Sequence, residues 1–296
     1  MTFQEFLTRF NTEAKIIAYF IKIRYGDELR CNHCGSTKVY QRHTNHKVCD
    51  CESCHNTFSV FKNTIFEHSS TDLRKWFYAI HLFLNGKKGI SAMQLQREIG
   101  VTYKTAWRIL HQIRKAMSNK EAEAFFNAIV EVDETYVGGK PRKGNKDDLP
   151  RKRGRGTRKT PVVGVISRDD KRVEAGVAKP DRAGKKLSGK QLMAIIDRVV
   201  KDASVIMTDE FSGYNILKYS EHIHKIVDHS KEFSRGDIHV NNLEAFWSIL
   251  KRGILGIYHH VSVKYLQGYI NEFCFRYNHR ENEHMFDTLI KQSVLV

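Results

Sequence analysis

Three carboxylates stand at positions from which an α/β protein could gather them into one site. Asp133 lies in AIVEVDETYVGGK, residues 128–140, where Ile129, Val130 and Val132 run into Asp133 and Glu134 and then into Gly138-Gly139. β-Branched residues that end in a glycine pair read as a strand entering a turn. Acidic side chains in such a strand are costly to bury unless something positive meets them; otherwise the stretch is an edge strand with solvated carboxylates. Asp209 directly follows Thr208 and the apolar run Val205-Ile206-Met207, and the carboxyl end of a buried strand is the usual place for a site in an α/β sheet. Glu244 sits in HVNNLEAFWSILKRGI, residues 239–254. There Leu243, Phe246, Trp247, Leu250 and Ile254 form an apolar helical stripe, while Asn241, Glu244, Ser248 and Lys251 share a second face. That second face is also what an ordinary solvated helix would show.

Two strand carboxylates and one helix carboxylate suit a divalent metal pair. Mg²⁺ takes a few carboxylate oxygens and keeps several waters. Two such ions ~3.5–4 Å apart can clamp the attacking and leaving oxygens of a phosphodiester displacement. No histidine or cysteine nucleophile is needed for that chemistry. Lys251, two helical turns beyond Glu244, could contact a nearby phosphate.

A second cluster is built from sulfur. Of six cysteines, five fall within residues 31–54, which argues for a metal site and against a disulfide framework. CNHC supplies Cys31 and Cys34, CESC supplies Cys51 and Cys54, and sixteen residues lie between the pairs, inside the window for a four-cysteine zinc ribbon. Four thiolates leave no open coordination position, so the metal is structural: one Zn²⁺ replaces a core that so short a segment cannot build. Cys49 does not fit the C-x-x-C spacing and is read as a bystander. Histidines 33, 43, 46 and 55 are possible substitutes.

These groups need elements to hold them. The chain has 296 residues, enough for one large domain with smaller modules, and a net charge of +16, which favours a polyanionic partner. It has no apolar run long enough to span a bilayer and no signal-peptide pattern, so the expected compartment is the cytoplasm, with no membrane partner and association with the nucleoid. Residues 1–28 read as one or two short amphipathic helices ending at Gly26; residues 29–62 are the ribbon. Within 63–120, residues 70–85 read as a helix with Ser70 or Thr71 as N-cap and Asp72 in its first turn. Residues 89–117 have the form of a helix-turn-helix, turning at Gly100. Thr102, Tyr103, Lys104 and Thr105, with Arg108 a turn later, stand at the start of its second helix, where base edges are read in a major groove. A plain helical hairpin is the alternative.

Residues 125–260 read as the catalytic domain. Its order is strand, strand, strand, helix, strand, helix, strand, helix, which gives a mixed sheet flanked by helices. Inside it, residues 140–159 hold ten Lys or Arg against two Asp, a basic loop whose Arg151, Lys152, Arg153 and Arg155 suit DNA phosphates. Residues 261–296 form C-terminal helices, where Cys274 is most simply a small buried hydrophobe.

This pattern resembles the ribonuclease-H-like fold of DDE transposases and retroviral integrases. More fully, it is similar to the ISXO-two-like zinc-ribbon DDE transposases of bacterial insertion sequences, through CNHCGS, CESCHNTFSV, WFYAIHLF, KKGISAMQL, VTYKTAWRILHQIR, VEVDETYVGGK, TDEFSGY, HVNNLEAFWSILKRGI and FRYNHR. The resemblance implies Asp133, Asp209 and Glu244 as a triad holding Mg²⁺ or Mn²⁺, two ions per site, with Lys251 downstream. In this group an Asn is sometimes the third residue, which here would be Asn241. It implies an oligomeric transposase that binds terminal inverted repeats and target DNA, then cleaves and transfers a strand. A metal-dependent nuclease without strand transfer, or a non-catalytic DNA-binding regulator, are the competing readings.

Overall fold

The computed structural model describes residues 1–118, 126, 129–138, 159–180, 187–227 and 240–294. The basic loop up to residue 158, with Arg151, Lys152, Arg153 and Arg155, lies outside the described residues. The chain divides into two compact units, Met1–Ser118 with Glu281–Val296 and Asn119–Arg280.

In the first unit, α1 (Phe3–Arg9) and α2 (Glu13–Tyr25) start at Thr2 and Thr12, whose hydroxyls accept from backbone N–H groups three residues on. The second of these helices stops at Gly26 with φ 74°, a conformation that favours glycine. Next come the strands β1 (Val39–Arg42), β2 (Asn45–Cys51) and β3 (Thr57–Ser59), paired antiparallel in that order. α3 (Leu73–Asn85) is capped by Asp72, whose carboxylate accepts from Arg74 N–H at 2.7 Å and also meets the Arg74 guanidinium. The sequence reading placed the cap one or two residues earlier. Asp72 takes the role because it is the last extended residue, and Ser69 instead accepts from the Trp76 indole.

α4 (Ala92–Ile99) and α5 (Tyr103–Ala116) are capped by Ser91 and Thr102, with left-handed Gly100 between them. Leu95, Ile99, Ala106, Ile109, Leu110 and Ile113 are buried, while Thr102, Tyr103, Lys104 and Arg108 are exposed and Thr105 is half-buried. α9 (Met285–Ser293) completes this unit. Its Phe286 stacks on Phe10 and touches Phe77, and its Asp287 accepts from the Tyr19 hydroxyl and pairs with Arg9 at 2.9 Å.

The second unit is a five-stranded sheet. In chain order its strands are β4 (Ile129–Val137), β5 (Thr160–Ser167), β6 (Val173–Val177), β7 (Val205–Thr208) and β8 (Ile223–Ile226). Side by side they run β6-β5-β4-β7-β8, with β4, β5 and β6 antiparallel and β7 and β8 parallel to β4. Third, second, first, fourth, fifth is the order of a ribonuclease-H-like sheet, as the strand pattern predicts. One face packs α6 (Gly189–Val199) and the 3-10 helix Ser212–Tyr219: Leu192, Ile196, Tyr214 and Leu217 lie against Val130, Val132, Val163 and Val165. The other packs α7 (Asn241–Gly253) and α8 (Val263–Asn278), with Leu243, Phe246, Trp247, Ile270 and Phe273 against Val137, Val162, Ile166 and Val173. The helices of the 261–296 segment therefore part company, α8 joining the sheet unit and α9 the helical one.

Candidate active site and metal centre

The carboxylate site arises from a difference in strand length. β4 pairs with β7 at Ile129↔Val205, Val130↔Ile206 and Glu131↔Met207. β7 ends at Thr208, while β4 continues to Val137. Past that end, among the described residues, Asp133 and Glu134 have no strand paired with them on this side, and Asp209 begins the turn that follows β7. Carboxylate oxygens of Asp133, Glu134 and Asp209 all lie within 4.8 Å of one another.

Each of the three is anchored. Asp133 accepts from the Glu134 N–H at 2.7 Å through Oδ1 and from the Trp247 indole N–H at 3.0 Å through Oδ2. Glu134, which lies on the opposite face of β4, accepts from the hydroxyl of buried Tyr214 at 3.0 Å. Asp209 accepts from the Phe211 N–H at 3.0 Å, and the Thr208 hydroxyl beside it donates to the Asp209 carbonyl and meets His224 Nε2 at 2.9 Å. Burial pushes the Asp133 carboxyl up to about 7, and the neighbouring Glu134 and Asp209 charges push the same way. Crowded acids of this kind hold a proton where a cation would otherwise sit. Three hard oxygen donors at this spacing, two of them steadied by hydrogen bonds from the other helices, fit a Mg²⁺-type ion that completes its shell with water.

α7 passes over this cluster. Trp247 packs against β5 at Gly164, the register partner of Asp133, where an added Cβ would stand 2.7 Å from the indole ring and 2.9 Å from Leu243. Glu244 and Lys251 flank Trp247 along the helix, and Asn241, Glu244 and Lys251 are all exposed. Glu244 is not among the carboxylates that converge within 4.8 Å. Burial lowers the Lys251 ammonium; the Asp133 charge opposes that shift and the Lys159 charge adds to it. Lys251 and Lys159 thus bring positive charge to one side of the acidic cluster.

Glu134, Trp247 and Glu131 have roles at this site that the sequence reading did not assign. Strand alternation puts Glu134 and Asp133 on opposite faces, which argues against a shared site; only the shortness of β7 brings them together. Trp247 reads as one more residue of an apolar stripe, and it is one, with its N–H turned to Asp133.

In the ribbon, Cys31, Cys34, Cys51 and Cys54 bring their sulfurs within 4.8 Å of one another. The Cys31–Cys54 and Cys34–Cys51 separations are 3.7 and 3.6 Å. A tetrahedral Zn²⁺ with sulfur at about 2.3 Å needs sulfur–sulfur edges of roughly 3.8 Å, so the four thiols fit that ion. The two knuckles are built alike. Gly35 and His55, each following the second cysteine, have positive φ of 73° and 56°, and their N–H groups reach the carbonyls of Cys31 and Cys51, both at 3.0 Å. Cys49 is fully buried on β2 and outside this group; burial pushes its thiol up to about 11.

A ribonuclease-H-like sheet carrying an acidic cluster where β7 ends against β4, in a chain that also carries a four-cysteine ribbon, defines a DDE-type transposase. The chain belongs to the ISXO2-like transposase domain family, whose profile matches residues 126–278, and residues 11–57 match the transposase zinc-ribbon domain. It is 29% identical to a protein of the transposable element ISH50 of Halobacterium salinarum, over 90% of this chain and 91% of that one. It is 30% identical to a transposase-like protein of Haemophilus influenzae, over 35% of this chain and 82% of that one. Among solved structures, a pre-cleavage Mos1 transpososome is similar at 12% identity and a TM-score of 0.28, over 73% of this chain and 78% of that chain.

Proposed function

We propose that this transposase binds the terminal inverted repeats of its own element, cleaves a strand at the element's end and joins the freed 3′-hydroxyl to target DNA. The observation that carries the reading is the convergence of Asp133, Glu134 and Asp209 at the end of β7 in a domain of this family. When bound, a pair of Mg²⁺ or Mn²⁺ ions supplies an activated water or 3′-hydroxyl and neutralises charge at phosphorus. Asp133 and Asp209 would hold that pair. Glu134 lies close enough to share it, and Glu244 or Asn241 completes the set from α7. Trp247 keeps Asp133 turned inward, and Lys251 meets a non-bridging phosphate oxygen. Both steps are in-line displacements, so positioning and charge neutralisation do the work that a covalent nucleophile does elsewhere.

DNA reaches the site through two kinds of contact. Thr102, Tyr103, Lys104, Thr105 and Arg108, at the exposed start of α5, read base edges in a major groove. Arg151, Lys152, Arg153 and Arg155 of the basic loop contact phosphates without reading sequence. One Zn²⁺ held by Cys31, Cys34, Cys51 and Cys54 keeps the ribbon folded. Two ends must be processed together, so the working form is a homo-oligomer. The test is incubation of the protein with a labelled end duplex and target plasmid in Mg²⁺. Nicks together with target-joined products support the reading; nicks alone would make the protein a nuclease.

A further inference from the structure

Glu131 is two residues before Asp133 on the same face of β4 and is 0% exposed. A carboxylate so deep in a sheet is costly unless its oxygens are all met. Here they are met by the start of α7. Oε2 accepts from the backbone N–H groups of Asn242 at 3.1 Å and Leu243 at 3.3 Å, and Oε1 from the Asn242 side-chain amide at 2.7 Å. The Arg168 guanidinium, whose side chain is 15% exposed, closes the charge balance at 2.8 Å from Oε1. The helix has no cap of its own: Val240 occupies the N-cap position, where it offers no side-chain acceptor. Asn242 and Leu243 are the second and third residues of the helix, whose N–H groups an N-cap Ser or Asp normally takes. A residue from the neighbouring strand has taken over the capping role, with the sign of charge that the helix dipole favours.

We propose that Glu131 is a positioning residue for the transposition reaction, fixing the height and rotation of α7 over the metal-binding carboxylates. One strand holds the helix at two points. Glu131 grips its first turn, and Asp133 takes the Trp247 N–H at 3.0 Å a little over a turn later. Gly164, opposite Asp133, leaves room for the indole to lie on the sheet. With those two points fixed, Asn241, Glu244 and Lys251 have one place to stand relative to Asp133. Without the Glu131 grip, α7 keeps its apolar packing but loses the hydrogen bonds that choose one seating on that surface.

This inference rests on the proposed function for its kinetic readout, so cation binding is measured alongside. The variants are Glu131→Gln, which keeps the shape but turns an amide NH₂ toward either the helix N–H groups or the Asn242 amide and Arg168 guanidinium, Trp247→Phe, which removes the indole donor together with the ring atoms that pack on Gly164, and the double variant. Each is assayed for Mn²⁺ affinity by titration calorimetry, for end-DNA binding and for single-turnover end cleavage. Groups that orient metal ligands typically contribute 10- to 100-fold. Glu131→Gln should therefore lose about 10-fold or more in cleavage rate and weaken Mn²⁺ binding, with end-DNA affinity within about 2-fold of wild type. Because Glu131 acts through the seating of Trp247, the double variant should lose no more than the worse single one. If Glu131→Gln proves insoluble, Asn242→Ala, which removes one grip, should show the same pattern at smaller size. Wild-type cleavage and Mn²⁺ affinity in a folded Glu131→Gln protein would overturn the proposal. So would losses in the double variant that multiply. Wild-type protein that binds Mn²⁺ but neither nicks nor joins DNA would instead refute the proposed function, leaving the Mn²⁺ affinities to decide the role of Glu131.

Discussion

Replacing Asp133 by Asn should make the protein more stable while abolishing its chemistry. The reason is the crowding of charge around that carboxyl, whose half-protonation point stands near 7 against an ordinary value of 3.8, chiefly because of burial and then because of Glu134 and Asp209. A shift of about 3 units at about 1.36 kcal/mol each sets a ceiling of about 4 kcal/mol. Residual water and local relaxation bring the expected penalty to roughly 2–4 kcal/mol. Because the folded value is raised, the penalty is absent below about 4, grows as pH rises, and is complete above about 7. Asparagine carries no charge and keeps one acceptor oxygen for the two N–H groups that the Asp133 carboxylate meets, those of Trp247 and Glu134; loss of the other hydrogen bond offsets about 1 kcal/mol of the gain. In divalent-free buffer at pH 8, Asp133→Asn should therefore melt roughly 5–15 °C higher than wild type, and at pH 4 the two should nearly coincide. Mg²⁺ should raise the wild-type melting temperature and move the variant much less, because the ion binds the folded carboxylates. Calorimetric melting across pH 4–8, with and without Mg²⁺, checks this. An Asn variant no more stable than wild type at pH 8, or an advantage that does not vary with pH, would refute the reasoning.

Gly164→Ala places a Cβ 2.7 Å from the Trp247 ring and 2.9 Å from Leu243; it should cost about 1–3 kcal/mol in thermal unfolding through overpacking and lower the cleavage rate by lifting the indole from Asp133. Metal analysis should find one zinc per chain in wild type and in Cys49→Ser, and much less in Cys54→Ser; zinc lost from Cys49→Ser would show that the fifth cysteine is a ligand. Changing Arg151, Lys152, Arg153 and Arg155 together to Ala should flatten the log–log salt dependence of DNA binding by up to roughly 3.6 units, at about 0.9 per phosphate contact. It should weaken end and random DNA alike, and an unchanged slope with loss confined to end DNA would make the loop a sequence reader.

Much of this was legible in the residues. Apolar periodicity marks the strands and helices of both units, and Gly26 and Gly100 mark two helix ends where the structure has positive φ. The spacing of the two C-x-x-C pairs anticipates a four-sulfur cluster, and the structure brings sulfurs of opposite knuckles to 3.6 and 3.7 Å. What sequence does not carry is how far one strand outruns its neighbour. Glu134 enters the cluster because β7 stops at Thr208, and no local pattern in VEVDETYV records the end of a strand seventy residues later. The capping of α7 is hidden for a similar reason. Val240 stands at the N-cap and brings no acceptor; the acceptor is Glu131, more than a hundred residues upstream, and an acid between valines reads first as an anomaly of the strand.

The most direct test of the central claim is a single reaction on one labelled end duplex and a supercoiled target, with wild type, Asp209→Asn, Glu134→Gln and Glu244→Gln run side by side in Mg²⁺, in Mn²⁺ and in chelator. The account predicts a nick at the element's 3′ end and a target-joined product from wild type only when a divalent ion is present. It predicts loss of both products in Asp209→Asn with end binding unchanged, and the size of the loss in Glu134→Gln against Glu244→Gln assigns the third carboxylate. Nicking and joining at the wild-type rate by Asp209→Asn, or by wild type in chelator, would contradict it.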